Sequence, residues 1–261
     1  MYRAALFTGR GALPPGFRHI HWHSRALGKR MAFVLALPAG YASSPARRYP
    51  VLYLLHGSGH DCHSVLREIH PQDHLQELGQ ALLVIPDGEQ GWWLDSPAVP
   101  HSRFGEYLLE LVCLVDHDYP TIADRRSRGL CGFSMGGYGA MLLACQHPEL
   151  FGAASSLLGP LDIAQIFPDY HRLRMLLGPD LSTWQQYNPC QAVANLRDTA
   201  LWFCTGEDAF DRPQNDAFAS ALRAQRVNFI YRVHPGGHDT SFARRHIGAC
   251  FAFHRQFDAA P

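Results

Sequence analysis

The sequence predicts an α/β fold: a mostly parallel eight-stranded sheet with helices on both faces and a helical insertion at about 160–195. Three observations carry that expectation. Short apolar runs alternate with helix-length segments along nearly the whole chain, the order that builds a doubly wound sheet. Two of those runs, Val51-Leu52-Tyr53-Leu54-Leu55 and Ala81-Leu82-Leu83-Val84-Ile85, are almost wholly apolar, as parallel strands covered on both faces must be. The stretch 160–195 breaks the rhythm, with no clear strand and with scattered proline and aromatic residues.

The expected strands are 18–25, 31–37, 51–55, 82–86, 128–133, 153–158, 200–205 and 228–233. In the first, His19, His21 and His23 alternate with Ile20 and Trp22. That period of two marks a half-exposed strand, and its nearness to the second predicts an antiparallel pair at a sheet edge. The expected helices are 62–79, 103–117, 136–147, 213–225 and 240–257. In the second of them Leu108, Leu111, Val112 and Val115 share one face, the apolar stripe of a helix laid on a core. The insertion is expected to cap the carboxyl edge of the sheet. No repeat or linker interrupts the chain, so residues 1–261 are read as a single domain.

Lys+Arg and Asp+Glu both number 23, a formal net charge of zero. This argues against nucleic acid as a partner, because such affinity comes from neutralising phosphates, and against a polybasic membrane anchor. No apolar run approaches the roughly 20 residues of a membrane span. The seven cysteines form no CxxC pair, and several sit inside apolar runs, as buried free thiols do. The first residues, with Arg3 and Arg10, hold no apolar stretch of secretory length. A protein of the reducing cytoplasm is expected.

The chemistry centres on Gly132-Phe133-Ser134-Met135-Gly136. An apolar strand runs into this GxSxG and a helix runs out of it. A serine on such a sharp elbow projects its oxygen above the sheet edge. A hydroxyl is a poor nucleophile until a base takes its proton. His238, in Pro235-Gly236-Gly237-His238-Asp239, lies after the last expected strand, on the same sheet edge as Ser134. The histidine in turn needs an acid to fix its tautomer. The run ending Thr205-Gly206-Glu207-Asp208 favours Asp208. Asp211 competes, and Glu207 more weakly. Asp211 is expected instead at the start of the next helix, near Pro213, where its carboxylate would cap. An oxyanion hole needs two backbone donors. The N–H of Met135 is one, and the N–H of Ser58, in His56-Gly57-Ser58-Gly59, is the favoured second. His56 is read as shaping this loop.

On these residues the sequence resembles the esterase D type of esterases within the α/β-hydrolase superfamily. The stretches that carry the resemblance are Tyr53-Leu54-Leu55-His56-Gly57, Ile85-Pro86-Asp87-Gly88, Gly132-Phe133-Ser134-Met135-Gly136-Gly137-Tyr138-Gly139-Ala140, His147-Pro148-Glu149-Leu150-Phe151 and Gly237-His238. The resemblance covers roughly 18 to 257. The group includes S-formylglutathione hydrolases, feruloyl esterases and mycolyltransferases. The resemblance implies the same triad order, Ser, Asp, His, and the same two oxyanion amides. The chain departs from it at Leu158-Gly159, where many members have Ser-Gly. Gly91-Trp92-Trp93-Leu94-Asp95 resembles an active-site loop of this family, which would set Trp92 in an acyl or alcohol pocket; core packing is the other reading.

The spacing of His56, His60, Cys62 and His63 matches no ordinary zinc pattern, and His19, His21 and His23 read as an exposed edge, so no metal site is expected. No cofactor is implied. The expected activity is hydrolysis of small or medium acyl esters or thioesters, with a small-molecule ester as the partner. Acyl transfer or S-formylglutathione hydrolysis is the enzymatic alternative. A non-catalytic α/β-hydrolase used as a binding module is the non-enzymatic one.

Overall fold

The computed structural model describes residues 13–166 and 170–256. The segment with Arg3 and Arg10, residues 167–169 of the insertion, and residue 257 at the expected end of the last helix lie outside the described residues. Eight strands form one sheet: β1 (Phe17–Ser24), β2 (Lys29–Ala36), β3 (Val51–Leu55), β4 (Leu82–Pro86), β5 (Arg128–Phe133), β6 (Ala153–Leu157), β7 (Ala200–Gly206) and β8 (Ile230–His234). Their order is β1-β2-β4-β3-β5-β6-β7-β8. β1 and β2 pair antiparallel, with His19 opposite Val34, and β2 runs antiparallel to β4. Every later pairing is parallel. The antiparallel edge and the parallel centre agree with the sequence pattern.

The helices are α1 (Cys62–Glu68), α2 (Leu75–Leu78), α3 (Phe104–Asp118), α4 (Met135–Gln146), α5 (His171–Leu177), α6 (Leu181–Gln186), α7 (Arg212–Ala224) and α8 (Thr240–Arg255). Alternate residues of β3 divide between the two sides of the sheet. Val51, Tyr53 and Leu55 belong to the apolar core on the side of α3, α4 and α7, whereas Leu52 and Leu54 belong to the core on the side of α1, α2 and α8. This is the period-two geometry of a strand buried on both faces.

The single helix expected over 62–79 is broken into α1 and α2. His70 takes a left-handed φ of 56° and Pro71 opens a 3-10 turn. A proline ring disfavours the helical conformation of the residue before it and supplies no N–H. The insertion is helical as expected, with α5 and α6 flanked by short 3-10 turns. It packs on the loop that leaves β4. The Ser96 hydroxyl donates to the Leu176 carbonyl at 2.5 Å, and Arg172 Nε donates to the Gln90 carbonyl at 3.0 Å. No described helix is long and apolar enough to cross a membrane.

Packing fixes one titration. His254 on α8 is buried, lies 2.7 Å from Ser155 Oγ through Nε2, and fills the space left by Gly129 on β5. Burial pushes its imidazole down to about 3. The unfolded chain therefore takes up a proton below about 6.5 that the native state refuses. This contribution to stability is whole above that pH and is lost as pH falls toward the folded value. Between pH 7 and pH 5 His254 alone is expected to remove about 2 kcal/mol. Urea unfolding at both pH values is expected to show that loss, and His254→Gln to reduce it. His246, lowered to about 4 by burial and then by His234, keeps a residual slope of the same sign. An equal slope in the variant would refute the assignment.

Candidate active site

The elbow is built by close approach. A Cβ on Gly132 would lie 2.2 Å from the Gly136 carbonyl oxygen, and one on Gly136 would lie 2.0 Å from that of Leu55. Both positions are therefore closed to any side chain. Ser134, between β5 and α4, takes φ 54° and ψ −122°, a strained conformation for a residue with a Cβ. Its N–H is tied to the Leu157 carbonyl at 2.9 Å. Strain of this kind holds the hydroxyl off the helix axis, where it meets His238.

The His238 loop leaves β8 and enters α8, which Asp239 caps by accepting from the Phe242 N–H at 2.8 Å. The loop is pressed against the end of β7, for a Cβ on Gly206 would lie 2.1 Å from the Gly236 carbonyl oxygen. His238 Nε2 is 2.9 Å from Ser134 Oγ, and Nδ1 is 2.6 Å from Asp211 Oδ1. With Asp211 ionised, Nδ1 must carry the proton and Nε2 must accept from the serine hydroxyl. The Phe210 ring stacks on the imidazole at 4.2 Å between centroids and is itself exposed.

The structure corrects the acid. Asp211, not Asp208, reaches His238. The backbone N–H of Asp208 is spent on the Gly236 carbonyl at 3.0 Å, and that of Glu207 on the His234 carbonyl at 2.8 Å. These bonds lace β7 to the histidine loop, while the side chain of Asp208 stands among exposed residues. The chain then turns back through Ala209 and Phe210, and Asp211 enters the interior with no exposure. Asp211 does occupy the N-cap of α7, but its side chain makes no capping bond. Instead Oδ2 accepts from Thr205 Oγ1 at 2.6 Å and from Asn215 Nδ2 at 2.9 Å. Such charge-assisted bonds offset the cost of burying the carboxylate. The sequence offered no sign of the part played by Thr205 and Asn215.

The loop after β3 lies beside the elbow. A Cβ on Gly57 would meet the Phe133 ring at 2.7 Å, and one on Gly136 would lie 2.7 Å from the His56 carbonyl oxygen. Ser58 is exposed, its hydroxyl donating to Gln90 Oε1 at 2.6 Å. The N–H of Met135 opens α4 and so has no partner within that helix. His56 does shape the loop. It is fully buried, Nδ1 donates to the Gly57 carbonyl at 2.8 Å, and Nε2 accepts the Gly88 N–H at 2.8 Å.

Trp92 is placed in the core rather than on a pocket wall. It is 1 % exposed, with its ring edge-on to Tyr138 at 5.4 Å and to Tyr170 at 5.1 Å. The insertion supplies Tyr170, so the loop is covered from a distance that local sequence does not reveal. The four residues weighed as a metal set also separate. His56 holds Gly88, whereas His60 pairs with Glu68 at 2.9 Å. Cys62 and His63 face His19 on β1 instead.

A family profile described as "Putative esterase" matches residues 24–258. An esterase of Mycobacterium tuberculosis is 29% identical over 157 residues, covering 59% of this chain. That match spans only 34% of the mycobacterial protein. An S-formylglutathione hydrolase of Paracoccus denitrificans is 25% identical over 237 residues, 83% of this chain and 80% of that one. Among solved structures, a ferulic acid esterase superposes with a TM-score of 0.81 at 24% identity, covering 92% of this chain and 98% of its own.

Proposed function

Because the chain belongs to the esterase family whose profile spans 24–258, we propose that it is a serine carboxylesterase acting on small or medium acyl esters or thioesters. The observation that carries this reading is the continuous relay from Ser134 Oγ through His238 to Asp211, at 2.9 and 2.6 Å. His238 takes the serine proton as Oγ attacks the carbonyl carbon, and Asp211 stabilises the imidazolium that results. The amides of Ser58 and Met135 hold the oxyanion. His238 then protonates the leaving alcohol or thiol. Water, deprotonated in turn by His238, resolves the acyl-enzyme. These steps use the chain's own groups and call on no cofactor. The free state of the seven cysteines suits a reducing compartment such as the cytoplasm, and we read 1–261 as one domain.

The likeness to a hydrolase of S-formylglutathione over most of both chains favours thioesters as a second substrate class. A fluorophosphonate probe tests the reading. One adduct per chain, mapped to Ser134, with parallel loss of p-nitrophenyl acetate hydrolysis, is the expected result. An unlabelled chain, or hydrolysis that survives complete labelling, would overturn it.

A further inference from the structure

Outside the relay, chemistry gathers where the edge strand meets the first helix. His19 on β1 and Cys62 and His63 at the start of α1 each offer a donor atom, and the three donors all lie within 4.8 Å of one another. The His19 ring is 4.3 Å from that of His63, edge to face, and 4.3 Å from that of His21. Cys62 is buried, and the two histidines are half-buried. The donors face a polar cleft that Asp61, Arg30, Arg67, Asp87 and Glu89 also line.

We propose that His19, Cys62 and His63 form a zinc site. Two imidazole nitrogens and a thiolate suit Zn2+ better than the hard cations, which prefer oxygen. Zinc bonds of about 2.0–2.1 Å to nitrogen and about 2.3 Å to sulfur need donors closer together than 4.8 Å, by about an ångström. Side-chain torsions of three residues on two separate elements supply that adjustment. The backbone beneath them is set. Asp61 caps α1 by accepting from His63 N at 2.9 Å and Ser64 N at 2.6 Å, and Ser64 Oγ returns the bond to Asp61 N at 2.7 Å. His19 sits within eight paired residues of the β1–β2 ladder. A fourth position falls to His21 or to water from the cleft. On binding, the Cys62 thiol gives its proton to solvent and a zinc–sulfur bond forms. The ion clips the antiparallel edge of the sheet to α1, just downstream of the loop that carries Ser58. It takes no part in ester cleavage, and the site does not rest on the esterase reading.

The test uses the full chain, reduced and stripped of metal by a chelator, titrated with Co2+ and then Zn2+. One equivalent of Co2+ is expected to raise a thiolate charge-transfer band in the near ultraviolet, which Zn2+ then removes. Cys62→Ser, His63→Ala and His19→Ala are each expected to weaken binding at least about tenfold, with circular dichroism showing an intact fold. His19→Ala, on an edge strand, guards against a folding defect from changing the buried Cys62. Cys113→Ser, which removes the exposed thiol, and Ser134→Ala are expected to bind as the parent does. Failure of the esterase reading would thus leave this result untouched. No stoichiometric binding by the parent, or a band that persists in Cys62→Ser or His19→Ala, would overturn the proposal.

Discussion

Asp211→Asn is expected to lower kcat for p-nitrophenyl acetate by about four orders of magnitude, while Asp208→Asn leaves it near the parent value. The reason lies in what surrounds the carboxylate. Thr205 Oγ1 and Asn215 Nδ2 both donate to Oδ2 of Asp211. An amide nitrogen in that place would set two donors, its own and that of Asn215, against each other. The new side chain must therefore turn its oxygen toward Thr205 and Asn215 and its nitrogen toward His238. Nδ1 is then forced to accept, Nε2 carries the proton, and the histidine can no longer take one from Ser134. Asp208 is exposed and acts through its backbone N–H, which asparagine keeps. Its substitution is expected to change stability by no more than about 0.5 kcal/mol. Steady-state kinetics of both variants, with urea unfolding for stability, make the check. An active Asp211→Asn would break the relay as assigned.

Ser134→Ala is expected to slow the same hydrolysis by at least about a thousandfold. The amides of Ser58 and Met135 would remain, so some rate above that in water would persist. The variant is expected to fold normally. The Ser134 hydroxyl bonds only to His238 among the described residues, and alanine meets the same strained φ as serine. The variant should also lose fluorophosphonate labelling. Near-parent turnover in a well-folded variant would remove Ser134 from the chemistry.

What the sequence made legible is what is local. The apolar runs of β3 and β4 and the glycines of the elbow specify their own surroundings within a few residues. The antiparallel pair at the edge also followed, from the nearness of the first two runs and the alternation in 18–25. The acid was not legible in this way. Three carboxylates lie within five residues, Glu207, Asp208 and Asp211, and the choice among them is made by β8 and its loop. Those take up the N–H groups of Glu207 and Asp208 and leave Asp211 to turn inward. For Trp92, where pocket and core were both open readings, the deciding contact also comes from afar, since its cover arrives from Tyr170. The break in 62–79 had a visible cause in Pro71, which the single expected helix ran straight through. The His19–Cys62–His63 grouping was out of reach, because its members belong to segments that only the folded sheet brings together.

Ser134 and His238 stand 104 residues apart in the chain. A chain synthesised at about 5–20 residues per second therefore makes Ser134 some 5–20 seconds before His238. Through that interval the partner that His238 provides for the Ser134 hydroxyl does not yet exist. When β8 docks beside β7, the loop that follows it brings His238 to Asp211. The same docking covers the open flank of β7, an unpaired strand edge on which neighbouring nascent chains could stack. The Ser134–His238 contact and the cover of that edge thus depend on one strand.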